Sequence, residues 1–171
     1  MKKMYVISVL TGLLLFISSC SKDLANNDSS KDAQILDKGT YSFLKSAKIY
    51  NEANQNRSED YSASFDISKV ERIGDTLNVT VSFLQGCEVS KFEVIWNGTI
   101  MESYPEMTIL FVKRTTDNCG TQSDTISQVL SINLPEIIED KALAQRINII
   151  VSNASKKPNS DNADIPISNK N

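Results

Sequence analysis

Histidine is absent from this chain of 171 residues, and its absence removes most of the familiar catalytic arrangements. Histidine is the side chain most often used as a general base near neutral pH, and it is a frequent zinc ligand. Ser-His-Asp sites, Cys-His sites and zinc sites built on histidine are therefore excluded. The chemistry that remains belongs to carboxylates, to cysteines and to side-chain oxygen ligands.

Two groups of acidic side chains are spaced closely enough to be considered as sites. Glu136 and Glu139 could form a carboxylate pair of the kind that hydrolyses glycosides, although a solvated helix face is the interpretation we favour. Asp117, Asn118 and Asp124 could offer oxygen ligands to calcium, but their spacing differs from that of an EF-hand loop and indicates an acidic turn. We therefore expect no catalysis, no metal and no cofactor.

The first 20 residues have the three-part layout of an export signal. Two lysines follow the initiating methionine, the stretch 5–17 is almost wholly apolar, and two serines precede Cys20. This apolar run is shorter than the about 20 residues that a membrane-spanning helix needs. The pattern predicts a secreted chain whose signal peptide covers residues 1–19.

The sequence Ile17-Ser18-Ser19-Cys20 resembles the lipobox of bacterial lipoproteins. In that family the signal is cleaved before the cysteine, whose sulfur is lipidated and whose new amino group is acylated. Several acyl chains together give stable membrane attachment. The resemblance implies lipidation at Cys20 and residence in the bacterial cell envelope, at the outer membrane. The alternative is an ordinary signal peptide with a coincidental cysteine.

Cys87 and Cys119 remain as an even pair in an oxidising compartment, which predicts a structural disulfide between them. Both cysteines adjoin glycines at predicted strand ends or loops. Closing a loop of about 30 residues is worth roughly 3–4 kcal/mol in the chain-entropy account. A catalytic redox pair is the alternative, but the Cys-x-x-Cys spacing that is typical of such pairs does not occur.

Alternation of apolar and polar side chains predicts the strands that would position these residues. Leu77, Val79, Val81 and Phe83 alternate with polar residues, as is typical of a strand with one buried face. The alternation is interrupted near Gln128, which predicts a bulge or bend there. Similar patterns predict further strands at residues 64–73, 92–96, 126–134 and 147–151.

Turn signals and apolar runs complete the secondary-structure prediction. The pair Gly74-Asp75 predicts a turn between two strands, and Asn97-Gly98 predicts a tight hairpin. The continuous apolar run at 108–112 is typical of a strand in the middle of a sheet. The segment 136–146 predicts a short helix across one end of the domain.

About seven short strands without a long helix predict an all-β fold, specifically an antiparallel immunoglobulin-like β-sandwich, with a small β-barrel as the alternative. Residues 20–60 are predicted to hold the lipidated cysteine and a mostly flexible tether, residues 61–154 the sandwich, and residues 155–171 a disordered tail. Within the tether, Tyr41 and Phe43 suit an edge strand, while 41–52 suits a short helix, and the sequence leaves both open.

Several short stretches of the sandwich resemble one family. The matching stretches are Gly86-Cys87, Phe92-Glu93-Val94-Ile95-Trp96, Ser103-Tyr104-Pro105, the apolar run from Ile109 to Val112, and Asp117-Asn118-Cys119. Together they resemble a family of Bacteroidota lipoproteins of unknown function. The resemblance implies a lipid-anchored β-sandwich and implies no activity.

Two further features indicate possible surface chemistry. Asp75-Thr76-Leu77 and Asp124-Thr125-Ile126 resemble the Asp-Ser/Thr-apolar motif at which Bacteroidota attach O-glycans, which implies glycosylation of Thr76 and Thr125. The alternative is that both threonines merely begin strands. Tyr61 and Tyr104 are candidates for an exposed binding surface, whereas Trp96 lies in phase with buried positions and is expected in the core.

Three hypotheses about function follow. The first is a non-catalytic lipoprotein, anchored to the membrane by its N-terminal lipid, that binds or scaffolds an envelope protein or glycan through its loops. The second is an envelope protease inhibitor or immunity-type protein with one tight protein partner. The third is a carboxylate-only hydrolase, which the missing histidine disfavours. A nucleic-acid partner is not expected, because 21 acidic residues outnumber 18 basic ones and no long basic run occurs.

Overall fold

The computed structural model describes residues 33–121 and 124–169, so the predicted signal peptide and Cys20 lie outside the described residues. The strands within the described ranges are β1 Gln34–Asp37, β2 Ser42–Lys45, β3 Asp66–Ile73, β4 Thr76–Leu84, β5 Cys87–Trp96, β6 Met107–Cys119, β7 Thr125–Asn133, β8 Asn148–Asn153 and β9 Asp164–Ile167. The helices are α1 Ala47–Asn56, α2 Leu134–Ile138 and α3 Lys141–Arg146. None of these described helices has the length and apolar character to cross a lipid bilayer.

The strands form two sheets that share one core. The larger sheet has the order β1-β2-β5-β6-β8-β9 and the smaller has the order β3-β4-β7. Apolar side chains from both sheets meet in a single buried cluster, as in a β-sandwich. The predicted all-β sandwich is therefore confirmed, with nine strands in the described part of the chain rather than seven. Neither sheet closes on itself, so the alternative of a small barrel is not what these residues form.

The larger sheet is mixed, which the purely antiparallel prediction did not anticipate. The pairs β2–β5 and β6–β8 are parallel, and all other neighbouring strands are antiparallel. Between β6 and β8 the chain crosses to the smaller sheet as β7 and returns through α2 and α3. A parallel neighbour needs such a long crossover connection, because the chain must return to the end at which the first strand began.

The core follows the alternation that the sequence predicted. In β4, every second side chain is buried, and in β7 Leu130 and Ile132 are fully buried. The residues of β4 that face the core are Leu77, Val79, Val81 and Phe83. The predicted central strand at 108–112 is also confirmed, because β6 lies between β5 and β8.

A second apolar cluster covers the outer face of the larger sheet. Helix α1 packs Ala53 against Leu44, Ile95 and Phe111. Ser46 caps the helix, because its hydroxyl oxygen accepts the backbone N–H of Ile49 at 3.4 Å. This cluster explains why the larger sheet carries apolar residues on both faces at this point.

The predicted tether at 20–60 is wrong over its second half. Phe43 in β2 is 1% exposed, and the following helix is packed on the sheet, so the sandwich extends back to residue 34 at least. The edge strand and the helix that the sequence offered as alternatives both occur, one after the other. Neither the two-residue period of a strand nor the 3.6-residue period of a helix was clear in the sequence, because a four-residue strand and a ten-residue helix follow each other directly.

The predicted disordered tail at 155–171 is also wrong up to residue 169. Strand β9 pairs antiparallel with β8, and the buried side chain of Arg57 joins this segment to the end of α1. The guanidinium donates to the carbonyl oxygens of Lys156 at 3.0 Å and Ala163 at 2.9 Å, and it pairs with Asp164 at 3.0 Å. The segment is ordered by a polar partner distant in sequence, which its own polar composition does not reveal.

The predicted bulge near Gln128 is absent. Strand β7 keeps one continuous register with β4, from Asn133 opposite Thr76 to Thr125 opposite Leu84. Gln128 is a polar residue at a position of β7 that faces inward, and its amide donates to the carbonyl oxygen of Thr40 at 2.9 Å.

Candidate functional site

The connection between β5 and β6 is a loop of residues 97–106, here called the 97–106 loop. Asn97-Gly98 does not form the predicted tight hairpin, because β5 ends at Trp96 and β6 begins only at Met107. Asn97 accepts the backbone N–H of Thr99 at 2.9 Å, and Gly98 has φ +80°. A Cβ at Gly98 would lie 3.2 Å from the side chain of Lys45. The pair thus starts a longer loop rather than closing a two-residue turn.

The base of the 97–106 loop is tied to the core by a chain of hydrogen bonds. The indole N–H of Trp96 donates to the hydroxyl oxygen of Thr108 at 2.7 Å. That hydroxyl in turn donates to the carbonyl oxygen of Thr99 at 2.9 Å. Trp96 and Thr108 are both buried, so these bonds are shielded from competing water. Trp96 is in the core, as the sequence predicted.

The middle of the loop is held by its own backbone. Met101 and Met107 exchange two backbone hydrogen bonds, at 2.7 and 3.2 Å. The hydroxyl of Ser103 donates to the carbonyl oxygen of Pro105 at 2.7 Å, across the cis peptide between Tyr104 and Pro105. Bonds inside the loop therefore fix the residues on both sides of its tip.

Tyr104 stands at this tip with its side chain fully in solvent, at 104% relative exposure. The neighbouring Met101 is 37% exposed. An aromatic ring is a large apolar surface with few rotatable bonds, and such rings dominate the energetics of protein interfaces. The loop therefore presents a contact residue on a backbone that is already ordered.

The other side of the loop is fastened to α3 and β8. Glu106 accepts two hydrogen bonds from Arg146, at 3.2 Å from Nε and 3.0 Å from Nη2, and its carbonyl accepts the backbone N–H of Asn148 at 2.8 Å. The hydrogen bond from Arg146, and then its own backbone N–H, lower the pKa of Glu106. The same hydrogen bond raises the pKa of Arg146. Glu106 and Arg146 thus attach the loop to α3, and the Glu106 carboxylate balances the charge of Arg146.

Tyr61, the other predicted contact residue, lies in a different part of the molecule. It packs against the α1 cluster, with Lys113 Nζ 4.3 Å from the centre of its ring. Burial raises the pKa of Tyr61, and the Glu52 and Glu93 carboxylates raise it further. Lys113 is six residues along β6 from Met107, the first residue after the loop, or about 20 Å at the usual rise of a strand. The two tyrosines do not form one surface.

The predicted disulfide is formed between Cys87 and Cys119, with an S–S distance of 2.06 Å. The two residues lie directly opposite each other, at the start of β5 and the end of β6. They are strand-end residues rather than loop residues, and they close the end of the strand pair that is remote from the 97–106 loop. Their position beside each other is that of a structural cross-link.

Thr76 and Thr125 are the first residues of β4 and β7, and both belong to the outer face of the smaller sheet. The next residue of each strand, Leu77 or Ile126, faces the core. Because the strands are antiparallel, the two threonines lie at opposite ends of this face. Thr125 is exposed and Thr76 is half-buried. Their glycosylation stays a prediction.

The predicted acidic groups do not assemble into a site. Glu136 pairs with Lys38, whereas Glu139 pairs with Lys45 at 2.8 Å. Each carboxylate thus has its own lysine, Lys38 from the connection between β1 and β2 and Lys45 from the end of β2. Across residues 33–121 and 124–169, no group of three or more His, Cys, Asp and Glu side chains is placed to hold a metal ion.

A cleft of about 570 Å³ lies at the same end of the sandwich as α3, and no pattern in the sequence predicted it. Arg72 lines it together with Asp75, and the Arg72 guanidinium donates to the carbonyl oxygens of Ile147, at 2.8 Å, and Ala144. Burial lowers the pKa of Arg72, and the nearby Asp75 opposes that shift. Arg72 thus has a structural role, because it donates to carbonyl oxygens at the C-terminal end of α3.

No protein-family model matches this chain, and no curated protein matches it in sequence. Among solved structures, it is similar to a protein of unknown function, DUF1344, from Bacteroides vulgatus ATCC 8482. The superposition has a TM-score of 0.44 at 12% sequence identity, and covers 80% of this chain and 66% of that protein.

Proposed function

We propose that this chain is a lipid-anchored lipoprotein of the bacterial cell envelope that binds a protein partner through the 97–106 loop and catalyses no reaction. The observation that carries this proposal is the full exposure of Tyr104 on a loop that is fastened to the core. Tyr104 is the expected anchor residue of the contact.

The order of the loop supports binding because an ordered loop loses little conformational entropy when a partner arrives. Immobilising a flexible side chain at an interface costs about 0.5–1.5 kcal/mol, and ordering a loop adds to that cost. Ser103 and Met101 already hold the loop backbone through hydrogen bonds. Tyrosine adds contact area with only two side-chain torsions to fix.

The location rests on the sequence. The lipobox-like stretch that ends at Cys20 supports lipidation of this residue and attachment to the outer membrane. A lipid anchor would hold the sandwich at the membrane through the residues before Gln34, which enter the larger sheet at the end that carries the 97–106 loop. The absence of histidine supports a non-catalytic role.

A protease inhibitor or immunity-type protein is the second candidate, and the same loop favours it. A narrow loop with an exposed Tyr104 before Pro105 has a shape that could enter a concave site on another protein. A glycan partner is less favoured, because Tyr61 and Tyr104 are too far apart to offer one stacking platform.

Site-specific photo-crosslinking tests this proposal. The full chain would carry benzoyl-phenylalanine at Tyr104 or, as the control, at Gln55, which is exposed on α1. We expect one defined protein adduct in intact cells from position 104 and none from position 55. Equal adducts at both positions, or none at position 104, would remove the support for the loop as the binding site.

The isolated partner would then be used to measure affinity. Hot-spot residues contribute about 2 kcal/mol or more, so Tyr104→Ala should weaken binding by about 30-fold. The thermal stability should stay unchanged because the ring makes no buried contact. Tyr61→Ala is the matched control and should leave the affinity unchanged. If the partner is a protease, its inhibition by the wild-type chain and not by Tyr104→Ala would select the second candidate.

A further inference from the structure

The edges of the two sheets differ in how they are protected against pairing with another strand. An edge strand exposes unpaired N–H and C=O groups, and proteins blunt such edges with charges, proline, bulges or short strands. Among the described residues the edge strands are β1, β3, β7 and β9. Of these four described edge strands, only β7 lacks all four protections.

The other three edges show the usual protections. Strand β3 carries four charged residues and has a bulge between Ile67 and Lys69. Strands β1 and β9 have four residues each. Strand β1 ends in Asp37, and β9 contains Pro166. By contrast, β7 has nine residues of sequence Thr-Ile-Ser-Gln-Val-Leu-Ser-Ile-Asn, with no charge, no proline and no break in register.

The hydrogen bonds at the ends of β7 show which backbone groups face outward. The carbonyl of Asp124 and the N–H of Leu134 both bond toward β4, at 2.8 and 2.9 Å. Backbone groups alternate along an antiparallel ladder, so the N–H and C=O of the odd-numbered residues point away from β4. The hydroxyl of Tyr41 confirms this direction, because it donates to the carbonyl oxygen of Ser131 at 3.1 Å.

Three residues of this edge are open to solvent. Thr125, Ser127 and Val129 are exposed, and their outward backbone groups bond to nothing else within the described part of the chain. The outward carbonyl oxygen of Ser131 already accepts the hydroxyl of Tyr41. A new strand could therefore pair only with the residues of β7 before Ser131. The available edge is therefore 125–129, centred on Ser127.

We propose that β7 pairs antiparallel with β7 of a second copy of this chain, about a two-fold axis at Ser127. Thr125 then lies opposite Val129 of the other copy, and Ser127 lies opposite itself. The three pairs would exchange about six backbone hydrogen bonds. The two three-stranded sheets become one sheet of six strands.

The side chains of this edge suit a copy of itself. A charged residue close to the axis would face its own charge, which is unfavourable, and β7 has no charged residue. Leu84 lies opposite Thr125 on the neighbouring strand and is 44% exposed, while Val129 is 46% exposed. In the proposed register Leu84, Thr125 and Val129 of the other copy form one row, so Val129 gains Thr125 as a direct cross-strand neighbour.

Cross-linking between introduced cysteines tests both the pairing and its register. In the full chain, Ser127→Cys would place two thiols opposite each other, with Cα atoms about 5.5 Å apart. Ser131→Cys is the matched control on the same strand and face, where the two copies would be about 27 Å apart. In a background with Cys20→Ser, which removes the cysteine outside the Cys87–Cys119 disulfide, a short bis-maleimide should join Ser127→Cys into a dimer and leave Ser131→Cys and the parent chain unjoined.

Sedimentation of the detergent-solubilised full chain provides a second measurement. The wild type and Ser82→Lys, which places a charge on the same face but on the central strand β4, should sediment at twice the chain mass. Ser127→Lys should sediment at the chain mass with unchanged thermal stability. Absence of cross-linking at position 127, equal cross-linking at position 131, or a wild type that stays monomeric would overturn the proposal. An adduct of Ser127→Cys with a different protein would also overturn it, because the edge would then take a strand from another chain.

The proposed pairing does not depend on the proposed function. The 97–106 loop follows Trp96, at the end of β5 remote from Cys87, whereas the free edge begins next to Thr125, opposite Leu84. A dimer would leave both copies of the loop available for a partner.

Discussion

At the scale of single residues, neighbourhood decides what a side chain does. Tyr41, Tyr61 and Tyr104 have the same chemistry, yet the first is buried, the second packs against α1 and Lys113, and the third is in solvent. Arg57 and Arg114 are both buried in a domain with a polar surface. Their guanidinium groups donate to backbone carbonyls from distant parts of the chain, which a reading of the sequence does not bring together.

The pH dependence of stability should report the burial of Tyr41. Burial, and then the Glu136 carboxylate, raise the pKa of Tyr41 from 10.0 to about 12. The unfolded chain therefore ionises this phenol first, so its contribution to stability is complete below pH 10 and is lost as pH rises toward 12. The Tyr41→Phe variant has no phenol to ionise, so its stability does not fall in this way as the pH rises. It also lacks the hydrogen bond to the carbonyl oxygen of Ser131, which is worth about 1 kcal/mol.

We therefore expect the stability advantage of the wild type over Tyr41→Phe to shrink between pH 10 and pH 12. Urea denaturation at several pH values would measure it. Tyr104→Phe is the control for a general effect of losing a tyrosine, and its curve should parallel that of the wild type. A constant difference between the wild type and Tyr41→Phe across this pH range would contradict the assignment.

At the scale of elements, alternation predicted a strand well wherever one face is buried. It failed where both faces are covered or where elements are short. Ile95 and Phe111 point away from the main core but lie under α1, so apolar residues occur at positions that alternation assigns to solvent. The 97–106 loop shows the same limit, because Asn97-Gly98 is a hairpin signal that tertiary hydrogen bonds from Trp96 and Thr108 override.

The disulfide should stabilise the β5–β6 pair without being required to form it. Replacing Cys87 and Cys119 together by serine should lower the free energy of unfolding by about 3–4 kcal/mol, because the unfolded chain loses a closed loop. The fold should persist, since the two strands pair along the residues from Val89 to Ile95 as well. Urea denaturation without reductant would measure the change. A loss below about 1 kcal/mol would contradict this account of the cross-link.

At the scale of the whole molecule, the sandwich is larger than the sequence predicted. Strand β2 joins the larger sheet from the N-terminal side and β9 joins it from the C-terminal side, so the domain spans the described residues from 34 to 167. Both additions depend on partners distant in sequence. Arg57, which binds the segment between β8 and β9, is the clearest example.

Attachment of the whole molecule to the membrane should depend on Cys20. Cys20→Ala should abolish incorporation of an alkyne-labelled fatty acid and cleavage of the signal, because the acceptor sulfur is lost. Ser21→Ala, next to it, is the control and should be labelled as the wild type is. Labelling and gel mobility of the chain from membrane fractions would measure both. Undiminished labelling of Cys20→Ala would show that the lipid is not on this cysteine.

Patterns along the chain were enough to predict the fold class, the main strands, the disulfide and the exposed position of a tyrosine beside Pro105. These features depend on local composition, on alternation and on the parity of cysteines, all of which a linear chain displays. The parallel pairings, the extent of the sandwich, the conformation of the 97–106 loop and the open edge at Ser127 became visible only in the folded molecule. Each of these depends on which distant residues supply hydrogen-bond partners, and that choice is made only when the two sheets pack together.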